Sequence, residues 1–134
     1  MPTVYALEPE LTAAEFRAIL LASTLGERRP VNEPERLEQM LRHADLIVTA
    51  REAGRLVGVS RAITDFSYCC YLSDLAVDAA YQHRGIGKRL VAETRRAAGE
   101  RSNLVLIAAP AAEGYYPKIG MKRVDSCWLI SRAS

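Results

Sequence analysis

Gly85 and Gly87 stand two residues apart at a point where the character of the chain changes. Upstream, Tyr68 to Val77 reads as a strand rich in aromatic and small residues, closing on Leu75-Ala76-Val77. Downstream, Ile86, Leu90, Thr94 and Ala97 recur at helical spacing, while Lys88, Arg89, Arg95 and Arg96 fall off that stripe. Asp78 to Tyr81 is a brief connection, and Gln82-His83-Arg84-Gly85-Ile86-Gly87 opens the helix. The first N–H groups of a helix lack internal partners, and that end of the helix carries partial positive charge. Together they accept anions. Gly85 and Gly87 carry no side chain to keep an anion from the backbone. Arg84, Lys88 and Arg89 add positive charge around the spot.

The helix leads, past Gly99 as its C-terminal cap, into Leu104 to Ala109. That continuous apolar run predicts a strand covered on both faces. Strand, helix, strand in this order implies a right-handed crossover between parallel neighbours. Before it, Val4 to Leu7 reads as an edge strand. Thr12 and Glu15 form a capping box for a helix running to about Thr24, with Phe16, Ile19 and Leu20 on its apolar face. Asn32 is positioned to cap a second helix over Pro34 to Ala44, with Leu37, Met40 and Leu41 inward and His43 near its C-terminus, where an imidazole suits the helix dipole. Leu46 to Ala50 and Leu56 to Ile63 flank the turn Glu52-Ala53-Gly54-Arg55 as a hairpin. Asp65-Phe66-Ser67 marks the next turn. A short helix over Ala112 to Lys118 and two closing strands, Met121 to Val124 and Cys127 to Ile130, complete the prediction. The result is a mixed α/β sheet with helices on both faces, read as one domain over residues 1–134.

Composition narrows the function. Eighteen Lys and Arg against sixteen Asp and Glu leave a net charge of +2, which exerts no general pull on nucleic acid or a membrane surface. No apolar stretch approaches a membrane span, and the first residues lack the pattern of a signal peptide, so the expected location is cytoplasmic. Cys69, Cys70 and Cys127 have no metal-like spacing and read as small apolar strand residues. No metal is expected.

Neither the P-loop nor the dinucleotide fingerprint is present. Leu75-Ala76-Val77 followed by Gln82-His83-Arg84-Gly85-Ile86-Gly87 instead resembles the coenzyme A signature of the GCN5-related N-acetyltransferase superfamily. Tyr115-Tyr116-Pro117-Lys118-Ile119-Gly120-Met121 is similar to a second motif of that family, aromatic-Tyr-x-Lys-x-Gly-Phe. Met121 replaces the usual Phe, and Pro117 follows the key Tyr. The resemblance spans nearly the whole chain. It implies a mostly antiparallel central sheet of six to seven strands with a splayed parallel pair.

It also implies roles. Leu75, Ala76 and Val77 would pair with the pantetheine arm of acetyl-CoA, the co-substrate. Gln82, His83, Arg84, Gly85, Ile86, Gly87 and Lys88 would hold its pyrophosphate. A backbone N–H at the strand end, such as that of Val77, would meet the developing oxyanion. Tyr116 would protonate the departing thiolate. Asp74, Glu113 or water would take the proton of the amine. The acceptor is a primary amine of a small molecule or a protein. An exposed strand edge would serve a homodimer, which is frequent in the family. A non-catalytic acyl-CoA-binding sensor shares the glycines but has no use for Tyr116 as an acid.

Overall fold

The computed structural model describes residues 2–133; Met1 and Ser134, the ends of the expected domain, lie outside the described residues. Five strands form one sheet in the order β1-β2-β3-β4-β5: Thr3–Leu7, Leu46–Glu52, Arg55–Thr64, Cys69–Val77 and Asn103–Val105. The first four pair antiparallel, and β5 lies parallel to β4. The helices are α1 (Ala13–Ala22), α2 (Pro34–Arg42) and α3 (Ile86–Ala98).

Local chemistry explains most boundaries. Thr12 Oγ accepts the Glu15 N–H at 3.1 Å and starts α1. Gly99, at a φ of 95°, ends α3. Ala53 and Gly54 both have positive φ, 49° and 82°, as a two-residue hairpin turn of matching twist requires. Asp65 Oδ1 accepts the N–H groups of Ser67, Tyr68 and Cys69 and so fixes the β3–β4 turn. α2 departs from expectation: its N-cap is Glu33, without a side-chain cap, and Pro34 in the first turn sets the helical φ in place of an Asn32 cap. His43 is the residue that closes α2.

Two cores lie on opposite faces of the sheet. Phe16, Ile19 and Leu20 of α1 and Leu37 and Leu41 of α2 pack on Ile47, Val59 and Ala76. Ile86 and Leu90 of α3 pack on Val48, Ala50 and Val57. Ile47 and Val48 are sequence neighbours, and neighbours in a strand face opposite ways. Two bulges adjust this alternation. Ala50 pairs Gly58 but Arg51 pairs Leu56, which leaves Val57 extra in β3. Arg61 pairs Asp74 but Ala62 pairs Leu72, which leaves Ser73 extra in β4.

The sheet has five strands rather than six to seven. Residues 121–133 lie outside any ladder and are exposed from Lys122 onward, with Trp128 92% and Ile130 98% accessible. Their apolar character records strand propensity alone, and a strand forms only where a ladder and a covered face receive it. β5 is three residues long, and beyond it Pro110 opens irregular backbone. The run from Leu104 is covered on one side only: Val105 and Ile107 are exposed while Leu104 and Leu106 are half-buried. The helix expected over 112–118 is split into 3-10 turns at Pro110–Ala112 and Tyr116–Ile119. A proline inside an α-helix lacks its N–H and blocks the preceding turn, and Pro117 would do so here.

Candidate functional site

β4 and β5 pair only from Cys69↔Asn103 to Tyr71↔Val105. From Leu72 to Val77, β4 keeps β3 on one side and has no β5 partner on the other. Half of its N–H and C=O groups there face a gap, ready to receive an extended amide chain. Leu75, Ala76 and Val77 occupy this open stretch, opposite Ser60, Val59 and Gly58 of β3. The Ala76 side chain is buried in the α1–α2 core, so only its backbone is available to a ligand.

The chain then turns toward α3. The Asp78 N–H donates to the carbonyl of the bulged Val57 at 2.9 Å, and Asp78 Oδ1 accepts the Ala80 N–H at 2.9 Å. Arg55 Nη2 donates to Asp78 Oδ2 at 3.2 Å. Tyr81 presents its ring to two guanidinium groups, Arg55 at 5.7 Å and Arg84 at 4.9 Å from the centroid. His83 (φ 66°) and Gly85 (φ 80°) both adopt the left-handed conformation that reverses the loop into the helix. The left-handed His83 is a backbone device of the loop. A Cβ on Gly85 would meet nothing within 4 Å, so the space before the helix is open.

The first helical hydrogen bond runs from the Arg89 N–H to the Gly85 carbonyl at 3.0 Å. Ile86, Gly87 and Lys88 thus precede any helical acceptor for their N–H groups. The Ile86 side chain is core, packed where a Cβ on Gly58 would come within 3.1 Å of it. Gln82, His83, Arg84 and Lys88 are exposed around the opening. Arg89 is committed elsewhere: it pairs with Glu93 at 2.8 Å and stacks on Tyr5 at 4.7 Å.

Tyr115, beside the proposed acid, faces the start of α3. Its hydroxyl lies against the first turn of α3, where the Lys88 backbone offsets part of the rise that burial gives its pKa. A Cβ on Gly87 would lie 2.7 Å from that same oxygen. Gly87 is therefore small for the sake of Tyr115 as well as for any anion. Tyr116 packs edge-on against Tyr115, with centroids 5.3 Å apart at 76°. Burial pushes the Tyr116 phenol above its ordinary 10.0, and Tyr115 adds to the effect.

Asp74 is wholly buried, and its carboxylate receives the Nε–H groups of Arg29 and Arg61, one on each oxygen. A carboxylate shut away from solvent and held by two guanidinium groups is stabilised in its charged form, which argues against a role as base. Arg61 was legible as unusual, since strand alternation puts it on the same face as Val59. Arg29 sits in a loop and carried no signal. Glu113 is exposed on the segment between the last two turns. Among the described residues no group of three or more His, Cys, Asp or Glu stands close enough to hold a metal ion.

A mixed sheet opening along one strand edge onto the start of a helix defines a protein that binds an extended, anion-bearing ligand. The model of the acetyltransferase (GNAT) domain matches residues 24–127, and the chain belongs to that family. It is 32% identical to histone acetyltransferase TAP1 of Glycine max over 73 residues, 53% of this chain and 32% of that protein. The match thus spans about a third of the curated relative's length. Among solved structures it is similar to a GNAT-family acetyltransferase of Streptococcus pneumoniae, with TM-score 0.77 and 21% identity over 98% of this chain and 100% of that one. It is also similar to aminoglycoside N-acetyltransferase AAC(6')-Iy in complex with CoA, with TM-score 0.76 and 15% identity over 99% and 96% of the two chains. At such identities these likenesses bear on the fold.

Proposed function

We propose that the chain is an acetyl-CoA-dependent N-acetyltransferase acting by direct transfer to a primary amine. The observation that carries this is the open edge of β4 from Leu72 to Val77, which ends at the unpartnered N–H groups of α3. Pantetheine is a chain of amides ending in a diphosphate, so its two parts match these two features in order. Leu75, Ala76 and Val77 supply the edge. Gly85, Ile86 and Gly87 supply backbone donors, and Gln82, His83, Arg84 and Lys88 flank the diphosphate.

The amine nitrogen, neutral, attacks the thioester carbon. The C–S bond breaks, and the sulfur takes the phenolic proton of Tyr116. A phenol held above its ordinary range by burial is protonated at neutral pH, as a donor must be. The proton shed by nitrogen passes to water, alone or by way of Glu113, since Asp74 is taken up by arginines. The tyrosinate then recovers its proton from solvent. Relatives named for a histone and for an aminoglycoside support a primary amine as acceptor, on a protein or a small molecule. The cytoplasmic setting belongs to this proposal; among the described residues no helix is long and apolar enough to cross a membrane.

A thiol-release assay with acetyl-CoA across polyamines, aminoglycosides, amino acids and lysine peptides tests the reading, with calorimetry for CoA and ATP. CoA binding that Gly87→Glu abolishes, together with release by at least one amine, is expected. ATP binding without CoA binding would overturn it.

A further inference from the structure

The bulge in β4 lies in the middle of an arginine cluster that links three elements. Ser73, the extra residue, has no place in the ladder to β3. Its carbonyl accepts Arg29 Nη2 at 2.7 Å, and its hydroxyl accepts Arg61 Nη2 at 3.1 Å. Next to it, Asp74 receives the Nε–H of both arginines. Arg61 also donates to the Met40 carbonyl in α2 at 3.2 Å, and Arg29 to the Arg28 carbonyl at 2.8 Å. Arg29 belongs to the segment between α1 and α2, which folds back through a 3-10 turn at Thr24–Arg28. Arg17 of α1 holds the same segment from its other side, donating to the Val31 carbonyl at 2.8 Å. Residues 24–33 are thus pinned to the bulge by one arginine and to α1 by another.

The position of the bulge matters under the acetyl-CoA reading, on which this inference rests. With the diphosphate at the first turn of α3, the arm runs back along the edge of β4 from Val77. Between the phosphate oxygen and the sulfur lie about twelve bonds, the span of about four extended residues, or ~14 Å. Four residues back from Val77 is Ser73. The thioester therefore lies beside the bulge, and the oxyanion donor moves from Val77 to the N–H groups around Ser73. The element clamped at that place is the 24–33 segment.

We propose that Arg29 is a positioning residue on the acceptor side: by gripping Ser73 and Asp74 it holds residues 24–33 beside the thioester, where the amine must arrive. Asp74 is then the anchor of that wall. Arg29 remains 21% accessible and Arg61 8%, so the clamp sits at the boundary between core and cleft. Its grip is two-pronged: one guanidinium reaches a carboxylate through Nε and a carbonyl through Nη2. A lysine ammonium keeps the charge and loses that geometry.

The test compares the wild type with Arg29→Lys on three readouts: CoA affinity by calorimetry, amide hydrogen exchange of residues 24–33 in the CoA complex, and thiol release with kanamycin and with a lysine peptide. The expected result is CoA affinity within about twofold, exchange in 24–33 at least tenfold faster, and a fall of at least tenfold in kcat/KM for whichever amine is acetylated. If neither amine is acetylated, the exchange result decides. Unchanged exchange or unchanged acceptor kinetics overturns the proposal. So does a parallel loss of CoA affinity, melting temperature and turnover, which marks a purely structural role. Should Arg29→Lys not fold, Arg17→Met takes its place, since it cuts the exposed tether to Val31 and is expected to act on the same readouts. No CoA binding by the wild type would instead strike the reading of the site itself.

Discussion

Replacing Gly87 with alanine brings two opposed effects together at one atom. In a helix, alanine is favoured over glycine by about 0.5–1 kcal/mol, because glycine loses more backbone freedom on folding. Against this, the new Cβ would stand 2.7 Å from Tyr115 Oη and 3.4 Å from its Cζ. The phenol must withdraw from the first turn of α3, an overpacking cost of about 1 kcal/mol. The two effects nearly cancel, so Gly87→Ala alone is expected to change stability by less than about 1 kcal/mol. Tyr115→Phe removes the close oxygen and leaves the ring carbon at 3.4 Å, an ordinary contact. In that background Gly87→Ala is therefore expected to stabilise by about 0.5–1 kcal/mol. The coupling between the two sites is on the order of 1 kcal/mol, about 3–4 °C in melting temperature for a chain of this size. Urea denaturation of the four proteins measures it. The reasoning is refuted if Gly87→Ala has the same effect in both backgrounds to within about 0.3 kcal/mol, the usual scatter for independent sites.

Tyr116→Phe is expected to lower kcat by about 10²–10⁴ and to leave CoA affinity within about twofold; an unaltered kcat removes the proposed acid. Because burial raises this phenol, wild-type turnover is lost only as pH rises past 10.0, the ordinary tyrosine value, and a limb near pH 8 would contradict the assignment. Asp65, held at about 2 by the backbone N–H groups of Tyr68, Ser67 and Cys69, against an ordinary 3.8, contributes stability fully present above pH 3.8 and lost as pH falls toward 2. Denaturant titrations at stepped pH are expected to show that loss in the wild type and not in Asp65→Asn. Thr12→Ala deletes the bond from the Glu15 N–H at 3.1 Å, and a loss of about 1 kcal/mol is expected in urea; no change would show α1 indifferent to its cap.

What the sequence determined by itself is what near neighbours along the chain decide. Thr12, Ala53 with Gly54, and Gly99 each act within one turn of backbone, and each lies at the boundary expected of it, although the Glu15 carboxylate leaves the expected capping box for Arg51. The stripe of Ile86, Leu90 and Thr94 set the buried face of α3. The strand–glycine–helix junction was legible for the same reason, because orphan N–H groups and missing Cβ atoms are local facts. Tertiary structure decided whatever depends on a distant partner. Residues 121–130 have strand character, yet they found no ladder beyond a three-residue β5. Asp74 looked available until Arg29 and Arg61, from two other elements, closed on its carboxylate. The fold also brought the Tyr115 hydroxyl to the first turn of α3 and so gave Gly87 a second reason to be glycine. A side chain's type limits the bonds it can make, and only the fold brings the other atom within reach.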